Sequence, residues 1–328
     1  MSDIAFIFSK KAHAASQEFA KSINADFYSV SRYSLYKIFT IPKYKYYFVE
    51  SVFALTYPVM KRKILREKNK IIFRCNSNLF SNEPKRYFQG NFFVRKYIKF
   101  LLRNIDGIIA VSKMVENDAK RRCKEEIGKK IKTKLVYSFV DNPEKWLNVK
   151  PNLKSKNFLY IGYIRHHKGI DILLKTFELI MKKNTNVKLF LAGIRDSDLK
   201  RYGLKAPNNV YLLGFIKDLE KYMEKCAFYV TTPKYEPGPT ASIEAMCAGL
   251  IPIVNYMTGH KDHVKQVSKD LIINSLNPKD VANKILKIMK RNDLKKLSNK
   301  SRKIALKYTK EKMLTKFKKA FYDLIKET

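Results

Sequence analysis

The passage Glu236-Pro-Gly-Pro-Thr-Ala-Ser-Ile-Glu244-Ala-Met-Cys-Ala-Gly249-Leu-Ile-Pro252-Ile-Val limits the fold of this chain more than any other stretch. Pro237, Gly238 and Pro239 cannot continue a strand, and proline is well accommodated in a helix only within its first turn. The residues that follow are small and apolar, so the pattern predicts a helix that starts near Pro239 and stops at Gly249. Unpaired backbone N–H groups at such a start suit an anionic or hydroxyl-rich ligand. Glu236 falls in the loop beside that end, and Glu244 lies just over one turn inside. Two carboxylates beside an anion site suit a nucleotide-linked sugar, one acid for sugar hydroxyls and the other for ribose. A surface loop before a core helix is the plainer alternative.

Four further pieces surround this passage. Phe158-Leu-Tyr-Ile-Gly162-Tyr-Ile-Arg165-His-His-Lys168-Gly169-Ile-Asp-Ile-Leu-Leu reads as strand, loop and helix, the helix over 170–182. Val187-Lys-Leu-Phe-Leu-Ala-Gly193 reads as the next strand, and Val210-Tyr-Leu-Leu-Gly214-Phe-Ile as a strand with a glycine loop. Cys226-Ala-Phe-Tyr-Val-Thr-Thr-Pro233 is the strand that leads to Glu236. Strand and helix alternate through Val254, the pattern of a parallel doubly wound sheet. In this order the pieces resemble the retaining glycosyltransferases of family four, with their E-x7-E signature. The likeness is detailed from Lys156 to Met257 and holds in outline over the whole chain.

The resemblance implies an α/β protein of the GT-B fold: two Rossmann-like α/β/α domains, a cleft between them and C-terminal helices that cross back. It implies an acceptor-binding domain over 1–150 and a nucleotide-sugar domain over 151–328. The lysine-, proline- and asparagine-rich stretch Asn148–Lys156 is the expected linker. Phe317, Phe321, Tyr322 and Leu324 of the last helix are expected to pack on the first domain. By the same resemblance the reaction moves a sugar from a nucleotide donor to a lipid-linked or glycan acceptor. Anomeric configuration is retained, with no covalent intermediate on an enzyme carboxylate.

Site roles follow from the same register. Loss of a diphosphate leaves negative charge that fixed cations must meet. Lys168 and Arg165, on the loop between Gly162 and Gly169, are the expected clamp. The family commonly has arginine directly after the first glycine. Here Tyr163 stands there, and Arg165 is expected to substitute. Glu236 is assigned to the transferred sugar, with Gly238, Pro239, Thr240 and Ala241 around the helix start. Glu244 is assigned to ribose, and Gly214, Phe215 and Ile216 to the base. With two cations and a helix start in place and no Asp-x-Asp motif, neither metal nor cofactor is expected. Adjacent His166 and His167 point different ways and are not read as a metal pair.

The first half is less regular. Ile4–Ser9, Tyr46–Val52, Lys70–Arg74 and Gly107–Val111 read as strands and His13–Ile23 as a helix, while Lys134–Asp141 resembles the strand that ends the family's first domain. The first loop, Ser9-Lys-Lys-Ala-His13-Ala-Ala, lacks the glycine pair common in relatives, and no histidine stands near Phe73-Arg74-Cys75-Asn76. His13, Arg74 and Asn76 are therefore the acceptor-side candidates. At the other end, helices are expected near Val281–Lys290, Leu294–Tyr308 and Glu311–Ile325.

At 328 residues, two domains are the expectation. Cys75, Cys123, Cys226 and Cys247 have no C-x-x-C spacing, which argues against a zinc site or a disulfide framework and fits a reducing compartment. The N-terminus reads as a first strand, with no basic region of a signal peptide, and no apolar run reaches the roughly 18–20 residues of a membrane span. A cytoplasmic protein, peripheral on the cytoplasmic face of a membrane, is the expectation. Net charge is +38, from 67 basic and 29 acidic residues. Between Thr40 and Arg103 basic residues interleave with aromatics, as in Tyr44–Phe48, Arg86-Tyr-Phe and Asn91–Arg103. The last of these matches a helix lying on an anionic bilayer. A lysine-rich proteome would raise the charge just as well. No zinc finger or RNA-recognition signature supports a specific nucleic-acid partner. Three other readings stay open: an inactive GT-B scaffold, a basic nucleic-acid or anionic-surface binder, and a nucleotide-sugar epimerase of similar architecture.

Overall fold

A computed structural model describes residues 2–9, 11–31, 33–81, 91–184 and 186–328. Arg86-Tyr-Phe, one of the basic and aromatic clusters, lies outside the described residues. The chain divides into two units: 1–138 with 311–328, and 139–310.

The first unit runs β1 (Ile4–Ser9), α1 (Ala14–Ser22), β2 (Asp26–Val30), α2 (Lys37–Thr40), β3 (Tyr46–Glu50), α3 (Thr56–Ile64), β4 (Lys70–Cys75), α4 (Phe92–Arg103), β5 (Gly107–Ala110), α5 (Lys113–Ile127) and β6 (Lys132–Leu135). Its strands form a parallel sheet in the order β2-β1-β3-β4-β5-β6. Direction of winding reverses between β1 and β3, so the loops after these two strands open a crevice at their C-terminal ends. Strands β3 to β5 are buried along nearly their whole length, as expected of a sheet covered on both faces. Ser112 caps α5 by accepting from the Val115 N–H at 3.3 Å.

Helix α4 corrects one expectation. Ile98, Leu101 and Leu102 are buried in the first core, so its apolar stripe faces the protein and not a bilayer. Of its apolar side chains only Phe92, Phe93 and Val94, in the first turn, are exposed.

The second unit runs α6 (Pro143–Leu147), β7 (Asn157–Ile161), α7 (Ile170–Met181), β8 (Lys188–Ala192), α8 (Asp196–Arg201), β9 (Val210–Gly214), α9 (Leu219–Glu224), β10 (Phe228–Thr231), α10 (Thr240–Cys247), β11 (Ile251–Asn255), α11 (Lys261–Val267), β12 (Ile272–Ile273), α12 (Pro278–Met289) and α13 (Leu294–Ala305). Its parallel sheet has the order β12-β11-β10-β7-β8-β9, with the reversal between β7 and β10. The strand β6 ends at Leu135, earlier than expected, and Val140 already bridges Thr309 inside this unit. The stretch expected as a linker is part of the unit, because Trp146 and Val149 are buried in its core.

Of the three C-terminal helices only the last, α14 (Lys310–Glu327), joins the first unit; α12 and α13 stay in the second. Phe317 is fully buried, with its ring 4.6 Å from Phe19 and 5.1 Å from Phe48. Gly107 leaves room for Leu324, whose Cδ2 would lie 3.0 Å from an added Cβ. The Lys70 ammonium donates to the Ile325 carbonyl at 2.7 Å. Tyr322, the fourth expected contact, is 36% exposed and packs edge-on against Phe321.

Phe317→Ala should cost the first unit about 3–5 kcal/mol, the range for removing a buried aromatic. A urea titration that resolves the two units would show the first transition shifted to lower urea, with the second unmoved.

Candidate active site

The loops after β7 and β10 meet at the reversal point of the second sheet, and glycine is what lets them meet. Gly169 has φ +64°, and a Cβ there would lie 1.9 Å from the Thr232 carbonyl oxygen. Instead the Thr232 hydroxyl donates to the Gly169 carbonyl at 3.1 Å. One turn earlier, the backbone N–H groups of Lys234 and Tyr235 both donate to the His167 carbonyl, at 2.8 and 3.2 Å. The loop from β7 is thus stitched to the strand end that carries Glu236.

This stitching brings two of the expected catalytic residues into contact. Lys168 forms an ion pair with Glu236, both side chains largely buried. The Glu236 backbone is fixed from both sides: its N–H donates to the Met257 carbonyl at 3.0 Å, and its carbonyl accepts from Gly259 at 2.7 Å. Asn255 braces the same turn by donating to the Pro233 carbonyl at 2.7 Å.

Helix α10 starts one residue after Pro239, which has the extended geometry of a cap. It stops as expected: Gly249 has φ +84°, its N–H donates to Met246, and the Leu250 N–H reaches back to Ala245. Gly238, Pro239, Thr240 and Ala241 are all half-buried around the helix start. The Ser242 hydroxyl ties that start down, lying 2.9 Å from the Pro239 carbonyl and 2.9 Å from His260 Nδ1. His260 is fully buried on the loop after β11, and burial pushes its pKa down to about 3. Its neutral ring is a support for the helix start that sequence reasoning missed. Glu244 is half-buried one turn inside the helix. Burial holds its carboxyl above the ordinary range, Lys145 opposes that shift and Asp141 adds to it.

The remaining donor-side candidates gather around a cavity of about 510 Å³ at the ends of β7, β8 and β9. Arg165 and Phe215 line it, and Phe215 is 91% exposed. Of the three glycines at these strand ends, Gly162 (φ +151°), Gly193 (φ +95°) and Gly214 (φ +61°), only Gly193 lines the cavity; its N–H donates to the Gly214 carbonyl at 2.7 Å. Ile216 packs at the edge of the second core and is not among the lining residues. Sequence reasoning missed Arg195 and Arg201, which line the same wall with Asp198; Arg195 pairs with that carboxylate at 3.3 Å. Arg165 and Lys168 lie on one loop, but only Arg165 reaches the cavity. Tyr163 stands between them, its ring 5.7 Å from the Arg165 guanidinium and 5.2 Å from the Lys168 ammonium.

The acceptor-side candidates lie in the first unit, around a residue that the sequence did not single out. Glu50 Oε1 accepts from the Asn76 amide at 2.6 Å and from the His13 N–H at 3.3 Å. Arg74 is not available to a ligand: it is 1% exposed, with its guanidinium 4.3 Å over the Phe19 ring. Both faces of β4 are covered at this end, so neither direction would expose it. Burial lowers its pKa to about 10, so it stays a cation at neutral pH. Among the described residues no group of three or more His, Cys, Asp or Glu side chains is arranged to hold a metal ion, and no helix is long and apolar enough to cross a membrane.

A sequence model of the family "Glycosyl transferases group 1" matches residues 143–308. An uncharacterized glycosyltransferase of Haemophilus influenzae is 28% identical over 241 residues, 70% of this chain and 65% of that protein. The chain thus spans just under two thirds of that relative's length. Among solved structures, sucrose-phosphate synthase of Thermosynechococcus elongatus superposes with a TM-score of 0.76 at 15% identity, covering 100% of both chains. HepE of Anabaena, in complex with UDP and glucose, superposes with a TM-score of 0.71 at 15% identity, covering 97% of this chain and 99% of its own. At these identities the likeness establishes the fold, that of the GT-B glycosyltransferases.

His260 makes the second unit sensitive to acid. Unfolded, the ring takes up a proton near pH 6.5; folded, only near pH 3. Stability should be independent of this group above pH 6.5 and fall below it, by at most about 1.4 kcal/mol per pH unit. Urea midpoints for His260→Gln should fall less steeply than those of the parent between these limits. Parallel slopes would show that His260 takes up its proton in the folded state.

Proposed function

The chain belongs to the glycosyl transferases group 1 family, and on that premise we propose that it transfers a hexosyl group from a nucleoside-diphosphate sugar to a hydroxyl-bearing acceptor, retaining the anomeric configuration. The Lys168–Glu236 pair at the reversal point of the second sheet carries this reading. As the bond from the anomeric carbon to the diphosphate breaks, charge develops on the departing oxygens. Lys168 is held beside that position by Glu236, and Arg165 stands on the far side of the Tyr163 ring. A fixed cation needs no reorganisation as the charge grows, which is where such groups contribute most to rate.

Glu236 is already engaged by Lys168, so it is better suited to accept hydroxyls of the transferred sugar than to attack its anomeric carbon. Glu244 is assigned to ribose, with the helix start at Gly238 to Ala241 around the sugar. The basic cavity lined by Arg165, Arg195 and Phe215 takes the rest of the nucleotide. The UDP and glucose carried by the HepE structure make UDP-glucose the first donor to test. With cations supplied by the chain itself, transfer is proposed to need no metal. The E-x7-E resemblance supports retention.

Lys168→Ala should lower kcat by about 10²–10³, as for other groups that meet charge developing in the transition state. Turnover would be followed with UDP-glucose in EDTA, and the product anomer read by proton NMR. Undiminished turnover in the variant removes Lys168 from the chemistry; an inverted anomer rejects retention, and loss of activity in EDTA restored by Mg²⁺ rejects metal independence.

The acceptor is proposed to be lipid-linked or close to a membrane surface, and the protein peripheral there. Support comes from the first turn of α4, where Phe92 and Phe93 are 52% and 76% exposed beside exposed Lys96. Lys61, Arg62 and Lys99 contribute less than sequence suggested, since they pair with Glu67, Asp106 and Glu126. Binding to anionic vesicles should fall with salt and with Phe93→Ser plus Lys96→Glu, each basic residue near the surface contributing about 1 kcal/mol. Equal sedimentation with neutral and anionic vesicles would count against the charge having this role.

A further inference from the structure

Two cavities adjoin at the reversal point of the first sheet, and they differ in chemistry. The first, of about 280 Å³, is lined by Ser9, Lys11, Glu50, Ser51 and Asn76. The second, of about 220 Å³, shares Ser9 and is lined by Val30, Leu35, Phe53, Ala54, Tyr57 and Tyr97. Its tyrosine and threonine hydroxyls are engaged within the protein. Tyr57 donates to the Ser31 carbonyl at 2.6 Å, and the Tyr97 and Thr56 hydroxyls lie 2.7 Å apart. What the second cavity presents is therefore mostly carbon. An apolar cavity of about 150 Å³ already accepts benzene, so this one has room for a short run of hydrocarbon.

The polar cavity carries the opposite signature. Glu50 is 8% exposed; its Oε1 accepts from Asn76 and His13, while its Oε2 has no hydrogen-bond partner. A buried carboxylate oxygen without a donor calls for one. The next residue, Ser51, has φ +81°, a strained conformation outside glycine and one that concentrates at functional sites. That bend carries the chain from the polar cavity at Glu50 into the apolar one at Phe53 and Ala54.

We propose that these joined cavities hold one amphiphilic molecule, its hydroxyl-bearing head donating to the Glu50 carboxylate and its hydrocarbon in the pocket lined by Leu35, Phe53 and Tyr97. A head that donates suits the open Glu50 oxygen, which a phosphate, with no donor to offer, would leave unsatisfied. Phe93 continues the apolar path, one turn before Tyr97 on the same face of α4 and 76% exposed. That the molecule is the acceptor rests on the transferase reading. The site itself does not.

Alkyl β-glucosides from butyl to octyl, below their micelle concentrations, are the probes, titrated calorimetrically into the full chain without donor. Affinity should rise about fourfold per methylene until the pocket is full. Leu35→Glu, at a half-exposed position, should flatten that rise. Glu50→Gln should weaken every member about tenfold while keeping the slope, with circular dichroism confirming the fold. Should Glu50→Gln not fold, the slope and its loss in Leu35→Glu decide alone. Affinity independent of chain length, or a slope unchanged in Leu35→Glu, overturns the proposal. UDP titrated into the same preparation separates the two readings. Chain-length dependence without UDP binding supports the site and counts against the transferase, and UDP binding without chain-length dependence does the reverse.

Discussion

The contact between Gly169 and the end of β10 is the constraint on which the second unit's site depends. No other residue type fits, because the space for a side chain is filled by the Thr232 carbonyl. Everything downstream follows from that approach: the two bonds to the His167 carbonyl, the meeting of Lys168 with Glu236, and the position of the helix start beyond Pro239. A loop one atom bulkier would stand off the strand, and the cation would lose its partner. The first sheet reverses between β1 and β3 in the same manner, but no glycine stands there. A strained serine makes the bend instead, and an under-satisfied glutamate sits beside it.

Much of the second unit could be read in advance, because its signals are local. Runs such as Phe158–Ile161 and Phe228–Thr231 are apolar on both faces and bounded by glycine or proline, so strand limits and helix limits are written in a few adjacent residues. Gly249 ends α10 by a rule that needs only its own backbone. Lys168, Glu236 and Glu244 could be singled out because their spacing along the chain matches a known pattern. Glu50 and His260 were missed because each matters only through a neighbour distant in sequence. Glu50 meets Asn76, and His260 meets Ser242, by folding alone.

The basic clusters of the first unit show the limit of composition. A helical spacing of phenylalanine, isoleucine and lysine in α4 matches a bilayer-bound helix and a core-packed one equally well. Only the partners distinguish them, and Ile98, Leu101 and Leu102 have found theirs inside the protein. Arg74, placed by sequence on the acceptor side, instead lies over a ring in the interior. The boundary between units was misplaced for a related reason. Lysine, proline and asparagine over 148–156 look like a linker, yet Trp146 just before and Val149 within it anchor the chain to the second core.

Because α14 closes the first unit, that unit is assembled from the two ends of the chain. Synthesis on a ribosome delivers its sheet first and α14 only after the whole of the second unit. Until then Phe19 and Phe48 lack the ring that both contact, and Gly107 lacks the leucine that packs on it. The second unit, begun later, has all of its segments in hand sooner and can complete its core first. The unit begun first is thus closed after the one begun second, and a nascent chain carries an unclosed apolar seam until α14 has emerged.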